Sequence, residues 1–335
     1  MKEFHDYSLL PHNTFGIDAR CSHFMEYETV DDALRVASLL RDGGDSKYII
    51  IGGGSNLLLT ADFDGLVIRS GIKGIRQTGA DTVESGSGEC WDGLVDWLIS
   101  HGLYGAENLS LIPGDVGAAA VQNIGAYGAE VCNIISHVEA VDISSSRLCR
   151  LTAAECSYGY RSSRFKHEWH GKYLITGVTF RLSTTFRPLL DYGNIRDELR
   201  AQGTGTPSAR QLRDAIINIR NRKLPDYHEK GNAGSFFMNP VVSTDKYLDL
   251  RRQYPDMPHY TVSDSQEKIP AGWLIEQCGW KGKSLGRAGV HDKQALILVN
   301  LGGATGREIV ELCHAVQSDV SSKFSILLTP EVNII

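Results

Sequence analysis

The sequence predicts a mixed α and β protein with more than one domain. A helical pattern at 29–42 followed by an apolar run at 47–51 predicts a helix and a buried strand near the start of the chain. Alternating and β-branched residues over 134–182 predict a strand-rich region. Amphipathic patterns at 207–222 and 306–322 predict long helices in the second half. The 335 residues suffice for two or three domains of about 150 residues each.

The start of the chain carries clear local signals. Thr29 is a good cap for the helix at 29–42, because its hydroxyl can accept a bond from the first helical turn. The run 47–51 is apolar throughout, which is typical of a strand that is buried on both faces. A glycine loop at 52–56 and a second apolar run at 57–59 follow it.

The next helix is predicted at 91–101, and a connection rich in glycine and proline is predicted at 183–206. The helix at 207–222 is expected to open with Thr206 as the cap and Pro207 in the first turn, where its missing N–H costs nothing. A third domain is expected to start at this helix.

The last helix, at 306–322, is preceded by a capping-box pattern. Thr305 and Glu308 are three residues apart, so each side chain can bond the backbone N–H of the other. The apolar stretch 325–331 that follows predicts a strand leading to a polar terminus.

Composition excludes several classes of function. The net charge is −6 and the pI is about 6.0, without a dense basic block, so nucleic-acid binding is not expected. No stretch reaches the ~18 apolar residues of a membrane span, and no secretory signal is visible. The seven cysteines are scattered and form no C-x-x-C pair, so neither a disulfide framework nor a metal site is expected. We expect a cytoplasmic protein.

The first motif that points to chemistry is the glycine loop Gly52-Gly53-Gly54-Ser55-Asn56-Leu57. Glycines let consecutive backbone N–H groups face a phosphate without interference from Cβ atoms. The dinucleotide fingerprint G-x-G-x-x-G is not matched, because Leu57 occupies the last glycine position. A tight turn between two strands explains the loop equally well.

A second motif spans 112–128 and contains four glycines and four alanines. Small residues let the backbone approach a flat ring or a pyrophosphate closely, although a tight contact between helices would use the same residues. The two motifs together favour a dinucleotide cofactor.

Three further clusters have chemical potential, each with an ordinary alternative. Residues 158–166 combine aromatic and cationic side chains, as a solvated basic turn also would. Residues 231–240 hold Ser235 in a small-residue loop, where a serine often bonds its own backbone. Residues 328–332 place Glu331 near the end of the chain, where surface glutamates are common.

In this order, the motifs resemble those of the UDP-N-acetylenolpyruvoylglucosamine reductases, flavoenzymes of bacterial wall synthesis also called UDP-N-acetylmuramate dehydrogenases. The resemblance covers nearly the whole chain, and the ordered set is more specific than any single motif. Tyr192 resembles the tyrosine of the branch with a tyrosine-bearing substrate loop. The matching segments are 13–15, 52–58, 112–128, 160–166, 231–240, 271–275, 291–296 and 330–332.

The resemblance implies an α+β architecture, with an FAD-binding fold of the vanillyl-alcohol oxidase type and a C-terminal α/β substrate domain. FAD-binding subdomain 1 would span 1–70, with 326–335 returning near the active site. Subdomain 2 would span 71–206 and the substrate domain 207–325, and FAD would lie between the subdomains. Its contacts would come from Gly52, Gly53, Gly54, Ser55, Asn56, Leu57, Pro113, Gly114, Gly117, Asn123, Ile124, Gly125 and Ala126.

The resemblance also implies the reaction. NADPH reduces FAD and leaves, and the enolpyruvyl sugar then takes a hydride from flavin N5 at its C3. Charge grows on the substrate carboxylate, which Arg161 would hold. Ser235 would give the proton to C2, and Glu331 would lie near the carboxylate, holding or sharing a proton. The nucleotide diphosphate would be bound by Tyr192, Lys223, Asn239 and Gln294.

Two positions depart from the pattern of the family. Ser162 stands where the arginine motif often has aspartate, and Met238 stands where lysine is frequent. Neither change removes a catalytic group, and Met238 puts in doubt a single phosphate contact.

Two other functions stay open on the residues alone. Another FAD oxidoreductase of the same fold, acting on a hydroxy acid or sugar, would not be expected to carry Ser235 and Glu331 in these motifs. A non-catalytic nucleotide-sugar binding protein would not need the flavin loops. We expect a monomer with no nucleic acid, membrane insertion or obligate protein partner.

Overall fold

The computed structural model describes residues 1–43 and 47–335, which fall into two units. Unit 1 comprises Met1–Tyr7, Cys21–Gly53 and Phe63–Arg222. Unit 2 comprises Ser8–Arg20, Gly54–Asp62 and Lys223–Ile335. The division into three domains at residues 70 and 206 stays a prediction.

The described residues form both helices and strands. The helices are α1 Val30–Arg41, α2 Trp91–Ser100, α3 Val116–Gln122, α4 Ile195–Ala201, α5 Ala209–Lys223, α6 Thr244–Gln253, α7 Ala271–Gln277 and α8 Gly306–Phe324. The strands before α4 are β1 Lys2–Ser8, β2 Arg20–Tyr27, β3 Tyr48–Ile51, β4 Leu57–Leu58, β5 Phe63–Ser70, β6 Ile75–Gln77, β7 Thr82–Gly86, β8 Gly125–Ala126, β9 Ala129–Glu130, β10 Ile135–Asp142, β11 Arg147–Thr152 and β12 Tyr173–Arg181. Of these, β4 belongs to unit 2. The remaining strands are β13 Val241–Ser243, β14 Tyr260–Ser263, β15 Gln266–Lys268, β16 Ser284–Leu285, β17 Ala288–Val290, β18 Leu298–Asn300 and β19 Asn333–Ile334.

Unit 1 contains two main sheets. In the first, with strand order β1-β2-β5-β3, strand β5 runs parallel to both β2 and β3, and α1 connects those two strands. The second has the order β11-β10-β12-β7-β6 with antiparallel neighbours. Because β10, β11 and β12 lie within 134–182, the predicted strand-rich region is confirmed.

Three apolar clusters stabilise unit 1. The largest joins the apolar faces of α2 and α3 to the second sheet, with Trp91 and Phe180 fully buried in it. The second places α1 against strands β2, β5 and β10. The third packs α4 against α5, with Tyr127 at its edge. Burial of each large apolar side chain contributes about 1.5–3 kcal/mol of transfer free energy.

Unit 2 is organised around the long helix α8. Its buried face, which repeats at helical spacing, packs against β17 and β18 in the sheet β16-β17-β18. A second small sheet has the order β13-β15-β14, and β19 pairs in parallel with β4. The buried residues of α8 include Ile309, Leu312, Val316 and Val320.

Helix starts depend on side chains that cap the first turn. Thr29 accepts a bond from the N–H of Asp32, and Thr305 and Glu308 form the predicted capping box of α8. Helix α5 begins two residues later than Pro207 predicts. Ser208 Oγ accepts from the N–H of Gln211 at 3.3 Å, and Gln211 Oε1 accepts from the N–H of Ser208 at 2.9 Å. This second capping box sets the helix start.

The strand predicted at 325–331 is wrong. Pro330 makes only an isolated bridge to Phe237, and β19 begins after the predicted stretch. Pro330 has no N–H to donate to a ladder, and the apolar Leu327 is 70 % exposed although Leu328 is buried. The apolar composition of the stretch therefore reflects one buried side, not a continuous strand.

None of the helices that the structure describes is both long and apolar enough to cross a membrane.

Candidate active site

The Ser235 loop lies in unit 2 between buried residues. Asn232 is buried, and its side-chain oxygen accepts from the N–H of Gly234 at 3.0 Å, which turns the chain. Ser235 follows the turn and is exposed, whereas Phe236 and Phe237 after it are buried. The Ser235 hydroxyl makes no hydrogen bond to any residue that the structure describes, so it is available to a ligand.

Backbone bonds join three segments of unit 2 around this serine. The N–H of Phe236 donates to the carbonyl of Leu296 at 2.8 Å, and the carbonyl of Phe236 accepts from the N–H of Glu331 at 2.8 Å. The N–H of Met238 donates to the carbonyl of Thr329 at 2.9 Å. The structure therefore brings the predicted Ser235 and Glu331 onto adjacent, hydrogen-bonded segments, with Gln294 two residues from Leu296.

The glycine loop reaches the same segment through Asn56. Its side-chain nitrogen donates to the carbonyl of Glu331 at 3.3 Å, and its carbonyl accepts from the N–H of Asn333 at 3.1 Å. Asn56 and Glu331 are 275 residues apart in sequence, so this contact depends on the tertiary structure of unit 2.

Two other predicted ligand residues lie elsewhere in unit 2. Asn239 Oδ1 accepts from the N–H of Ala271 at 2.9 Å, at the start of α7, which leaves its side-chain nitrogen as the group for a ligand. Lys223 is exposed as the last residue of α5, and it forms no ion pair with a described residue. Its ammonium is thus suited to an external anion.

Arg161 lies in unit 1, in a hairpin with a two-residue turn. Gly159 and Ser162 exchange two backbone hydrogen bonds of 3.0 Å, and Arg161 between them has φ +53°, in the left-handed region that is uncommon for residues other than glycine. Lys166 Nζ donates to the carbonyl of Arg161 at 3.0 Å.

The Arg161 guanidinium is held by backbone carbonyls. Its Nη2 donates to the carbonyl of Gly125, and its Nη1 donates to that of Asn123 at 3.4 Å. A Cβ at position 125 would lie 2.7 Å from Arg161 Nη1 and 2.9 Å from the backbone carbonyl oxygen of Ala129, so glycine is the residue that fits there without a shift of the side chain and the backbone. Asn123 is fully buried, and its side chain donates to the carbonyl of Gly159 at 2.8 Å. These two residues therefore position the arginine.

The glycine loop fits a bound dinucleotide. A Cβ at Gly52 would lie 2.6 Å from the Cβ of Ala118 in α3, so the chain passes close to that helix. Gly54 has φ +68°, and a Cβ there would lie 1.9 Å from the carbonyl oxygen of His12. Within the described chain the N–H groups of Gly53, Gly54 and Asn56 donate no hydrogen bond, so they can bind the oxygens of a pyrophosphate.

The other residues expected to contact FAD lie around α3 in unit 1. Gly114 accepts from the N–H of Trp91 at 3.0 Å, and the N–H of Gly117 donates to Ser87 at 2.8 Å. Ile124 donates to the carbonyl of Ala119 at 3.2 Å, Ala126 lies in β8, and Pro113 precedes Gly114. Their contact with FAD stays a prediction. Tyr192 is exposed, and its side chain lies against Gly128.

Asp115 is a residue of this region that the sequence patterns missed. It is buried beside Gly53, where a Cβ would lie 3.2 Å from its Oδ1, and burial raises the pKa of this carboxyl. Arg69 donates to Asp115 at 3.2 Å and to Glu26 at 2.8 Å. The Arg69 charge offsets a carboxylate that would otherwise repel a phosphate. Asp115 lies inside the 112–128 motif, whereas Arg69 and Glu26 carry no sequence signal.

Arg220 is a second missed residue. It lies near the end of α5 in unit 1, and its Nε is buried without a hydrogen-bond partner. In the sequence it is one of several cationic residues in a long predicted helix, and no pattern distinguishes it from the others.

Two families match this chain. Residues 23–152 match the FAD binding domain, and residues 226–335 match the C-terminal domain of UDP-N-acetylenolpyruvoylglucosamine reductase. The first match covers most of the parallel sheet of unit 1 and the 112–128 motif, and the second covers Ser235 and Glu331.

Curated relatives align over the whole chain. A UDP-N-acetylenolpyruvoylglucosamine reductase of Bacteroides fragilis is 49 % identical, covering 98 % of this chain and 99 % of the relative. The enzyme of that name from Burkholderia multivorans is 45 % identical, covering 97 % and 95 %. The crystal structure of the Thermus caldophilus reductase superimposes with a TM-score of 0.68 at 22 % identity, covering 99 % and 98 %, which shows a shared fold. The expected α+β fold with an FAD-binding part is confirmed, and FAD is the cofactor.

Proposed function

We propose that this chain, which belongs to the UDP-N-acetylenolpyruvoylglucosamine reductase family, reduces UDP-N-acetylglucosamine enolpyruvate to UDP-N-acetylmuramate, with NADPH as reductant. Relatives of that name align with nearly the full length of the chain, which supports the substrate. The pairing of the Ser235 loop with the Glu331 segment carries the proposal, because backbone bonds join the segment that follows Ser235, whose hydroxyl has no described partner, to the segment that contains Glu331.

The reaction adds a hydride to C3 and a proton to C2 of the enol ether. FAD, when bound, supplies the hydride that it has received from NADPH. Negative charge then spreads from C2 onto the substrate carboxylate. Arg161 is suited to that carboxylate, since its guanidinium is already oriented by the carbonyls of Gly125 and Asn123 and needs little rearrangement.

Ser235 is the proposed proton donor. Its O–H gives a proton to C2, and the oxygen then regains one from water. A serine hydroxyl is a weak acid in solution, but a donor held beside the developing charge contributes about 3–4 kcal/mol in the transition state. Glu331, on the adjacent segment, is proposed to face the same carboxylate while holding or sharing a proton.

The remaining residues are proposed to bind the two nucleotides. The free N–H groups of the glycine loop support its assignment to the FAD pyrophosphate. Lys223, Asn239, Gln294 and Tyr192 are proposed to hold the diphosphate of the sugar nucleotide. The exposed ammonium of Lys223 and the unused side-chain nitrogen of Asn239 support their share.

We place this reaction in the synthesis of peptidoglycan precursors, and therefore in cell-wall formation, cell shape and division. The cytoplasm is the proposed location. All seven cysteines are free thiols, and four of them are partly or fully accessible, which suits a reducing compartment.

An anaerobic titration tests the proposal. The FAD-loaded protein is reduced with NADPH, UDP-N-acetylglucosamine enolpyruvate is then added, and the flavin spectrum is followed. Reoxidation at a catalytically useful rate is the expected result. A flavin that NADPH reduces but the sugar does not reoxidise would contradict the substrate and favour an oxidoreductase acting on a hydroxy acid or another sugar. A colourless protein that still binds the sugar nucleotide would favour a binding protein.

A further inference from the structure

Three side chains of metal-ligating type meet on the neighbouring strands β1 and β2, at one edge of the first sheet of unit 1. Glu3 and His5 belong to β1, and His23 belongs to β2. One ligand atom of each, a carboxylate oxygen or an imidazole nitrogen, lies within 4.8 Å of the other two. In the described part of the chain, no other group of three His, Cys, Asp or Glu side chains meets this distance.

The alternation of side chains along the two strands explains why these three share one face of the sheet. Glu3 and His5 are two residues apart in β1, so their side chains lie on the same side. Phe4 between them faces the other side, where its ring centroid lies 6.5 Å from that of the buried Phe24. His23 directly precedes Phe24 in β2 and therefore faces the side of Glu3 and His5.

The three side chains already contact one another. His23 Nε2 lies 2.9 Å from Glu3 Oε1, and the rings of His5 and His23 are stacked, with their centroids 4.6 Å apart. Two ligands of a tetrahedral zinc ion, each about 2.1 Å from the metal, are about 3.4 Å from each other. Small rotations of the side chains therefore suffice to bring the three ligand atoms to this spacing.

The donor set distinguishes between metals. Mg²⁺ and Ca²⁺ prefer oxygen ligands alone, whereas two imidazoles and one carboxylate suit Zn²⁺. Three protein ligands leave the fourth tetrahedral position to a water molecule. Glu3 and His5 are exposed, and the side chain of His23 is 14 % exposed, so an ion can reach the ligand atoms without unfolding of the sheet.

We propose that Glu3, His5 and His23 form a Zn²⁺-binding site that joins the edge strand β1 to β2. An ion held by both strands stabilises the folded chain, because the unfolded chain does not hold the three ligands together. The site uses no cysteine, so the cysteine spacing from which no metal site was expected does not bear on it. None of the three residues has a role in the proposed reaction, and the inference does not depend on that function.

Calorimetric titration of the FAD-loaded chain with ZnCl₂, without an affinity tag, tests the site. The wild type should bind Zn²⁺, and His5→Ala should weaken this binding at least about tenfold, a loss that even the residues supporting a metal ligand can cause. Glu3→Gln keeps an oxygen that can accept from His23 but removes the charge, and it should also lose affinity severalfold. His314→Ala is the matched control, because His314 is exposed on α8, and its affinity should equal that of the wild type.

Thermal unfolding gives a second measurement on the same proteins. Zn²⁺ should raise the thermal midpoint of the wild type and of His314→Ala, and raise it less or not at all in the other two variants. The midpoints without metal show whether each variant is folded, and if His5→Ala is not, Glu3→Gln decides.

Three results would overturn the inference. The first is a wild type that binds no Zn²⁺. The second is equal affinity in the wild type and in folded His5→Ala, which would place the ion elsewhere, for example on the accessible thiols. The third is full affinity in Glu3→Gln, since the carboxylate would then not be a ligand. Each of these results leaves the flavin titration, and with it the proposed function, unaffected.

Discussion

In unit 1, Arg161 is held through its own side chain, whereas in unit 2 Ser235 is held only through the backbone beside it. The guanidinium bonds two carbonyls, and the residues that supply them are a glycine and a buried asparagine. The Ser235 hydroxyl has no described partner, although Phe236 next to it is bonded on both sides. The difference matches the proposed roles, because a cation that stabilises charge must be oriented in advance, while a proton donor must keep its hydrogen bond for the substrate.

Ser235→Ala has the largest expected effect and tests the role of the Ser235 hydroxyl in this comparison. Reoxidation of the reduced flavin by the sugar should slow by two or more orders of magnitude, since a preorganised donor worth about 3–4 kcal/mol is lost. Flavin reduction by NADPH should be nearly intact, because it needs no proton from Ser235. Stopped-flow measurement of both half-reactions checks the prediction.

Ser243→Ala is the matched control for the serine variant. Ser243 caps α6 by accepting from the N–H of Lys246, so its loss should cost about 1 kcal/mol of stability without changing either half-reaction. If Ser235→Ala slowed both half-reactions equally, the assignment of Ser235 as proton donor would be wrong.

Asp92→Asn tests how far unit 1 depends on side-chain ion pairs. The Arg213 side chain is 7 % exposed, and removal of one of its two carboxylate partners, with Asp96 still 3.3 Å from its Nε, should reduce the free energy of unfolding by about 2–3 kcal/mol. The value lies below that of a fully buried pair because the side chain of Asp92 is 25 % exposed. Urea unfolding measures it.

Asp191→Asn is the control, since the Asp191–Arg196 pair is exposed and should contribute less than about 1 kcal/mol. Equal losses of stability in the two variants would show that burial of the Arg213 pair does not matter.

Gly125→Ala tests the positioning of Arg161. The added Cβ would lie 2.7 Å from Arg161 Nη1 and 2.9 Å from the carbonyl oxygen of Ala129, so the guanidinium must move and the β8–β9 backbone must adjust with it. We expect about a tenfold loss in sugar-driven flavin reoxidation, or ~1.4 kcal/mol, and because Gly125 is also a predicted FAD contact, the rates are compared per FAD-loaded molecule. Gly205→Ala is the control, because nothing lies within 4 Å of a Cβ there. An unchanged rate in Gly125→Ala would remove the positioning role of this glycine.

Glu308→Gln tests the caps of unit 2 and has the smallest expected effect. The N–H and hydroxyl of Thr305 lower the pKa of Glu308 from 4.5 to about 2. A carboxyl whose pKa is lowered in the folded state stabilises the fold at every pH above its pKa in the unfolded state. This contribution disappears as the pH falls from 4.5 towards 2. The urea midpoints of wild type and variant should therefore differ at pH 7 and converge in acid. Glu311→Gln, in the next turn of α8, should match the wild type throughout, and a difference that persists in acid would argue against the capping role.

Local patterns predicted four of the eight helices in the described part of the chain, namely α1, α2, α5 and α8. The capping residues Thr29 and Thr305 lie within three residues of the N–H groups they bond, so the sequence contains the whole interaction. The start of α5 was predicted two residues too early, although the bonds that set it are also local. Ser208 and Gln211 cap the helix through reciprocal bonds, and these fix its start more strongly than the nearby Pro207 does. The strand at 325–331 failed because apolar composition does not reveal which backbone groups find partners.

The ordered motifs also determined the family and the candidate site residues, because chemistry fixes residue types at a few positions of each loop. Tertiary structure alone decided how those residues are supported. The bond between the Phe236 and Glu331 backbones spans 95 residues, the two carbonyls that hold Arg161 lie 36 and 38 residues away, and Asp92 and Arg213 are 121 residues apart. No local pattern encodes contacts over such separations. In the sequence, Arg220 is one of four similar arginines of α5. Only the structure distinguishes it, because its Nε is buried without a hydrogen-bond partner.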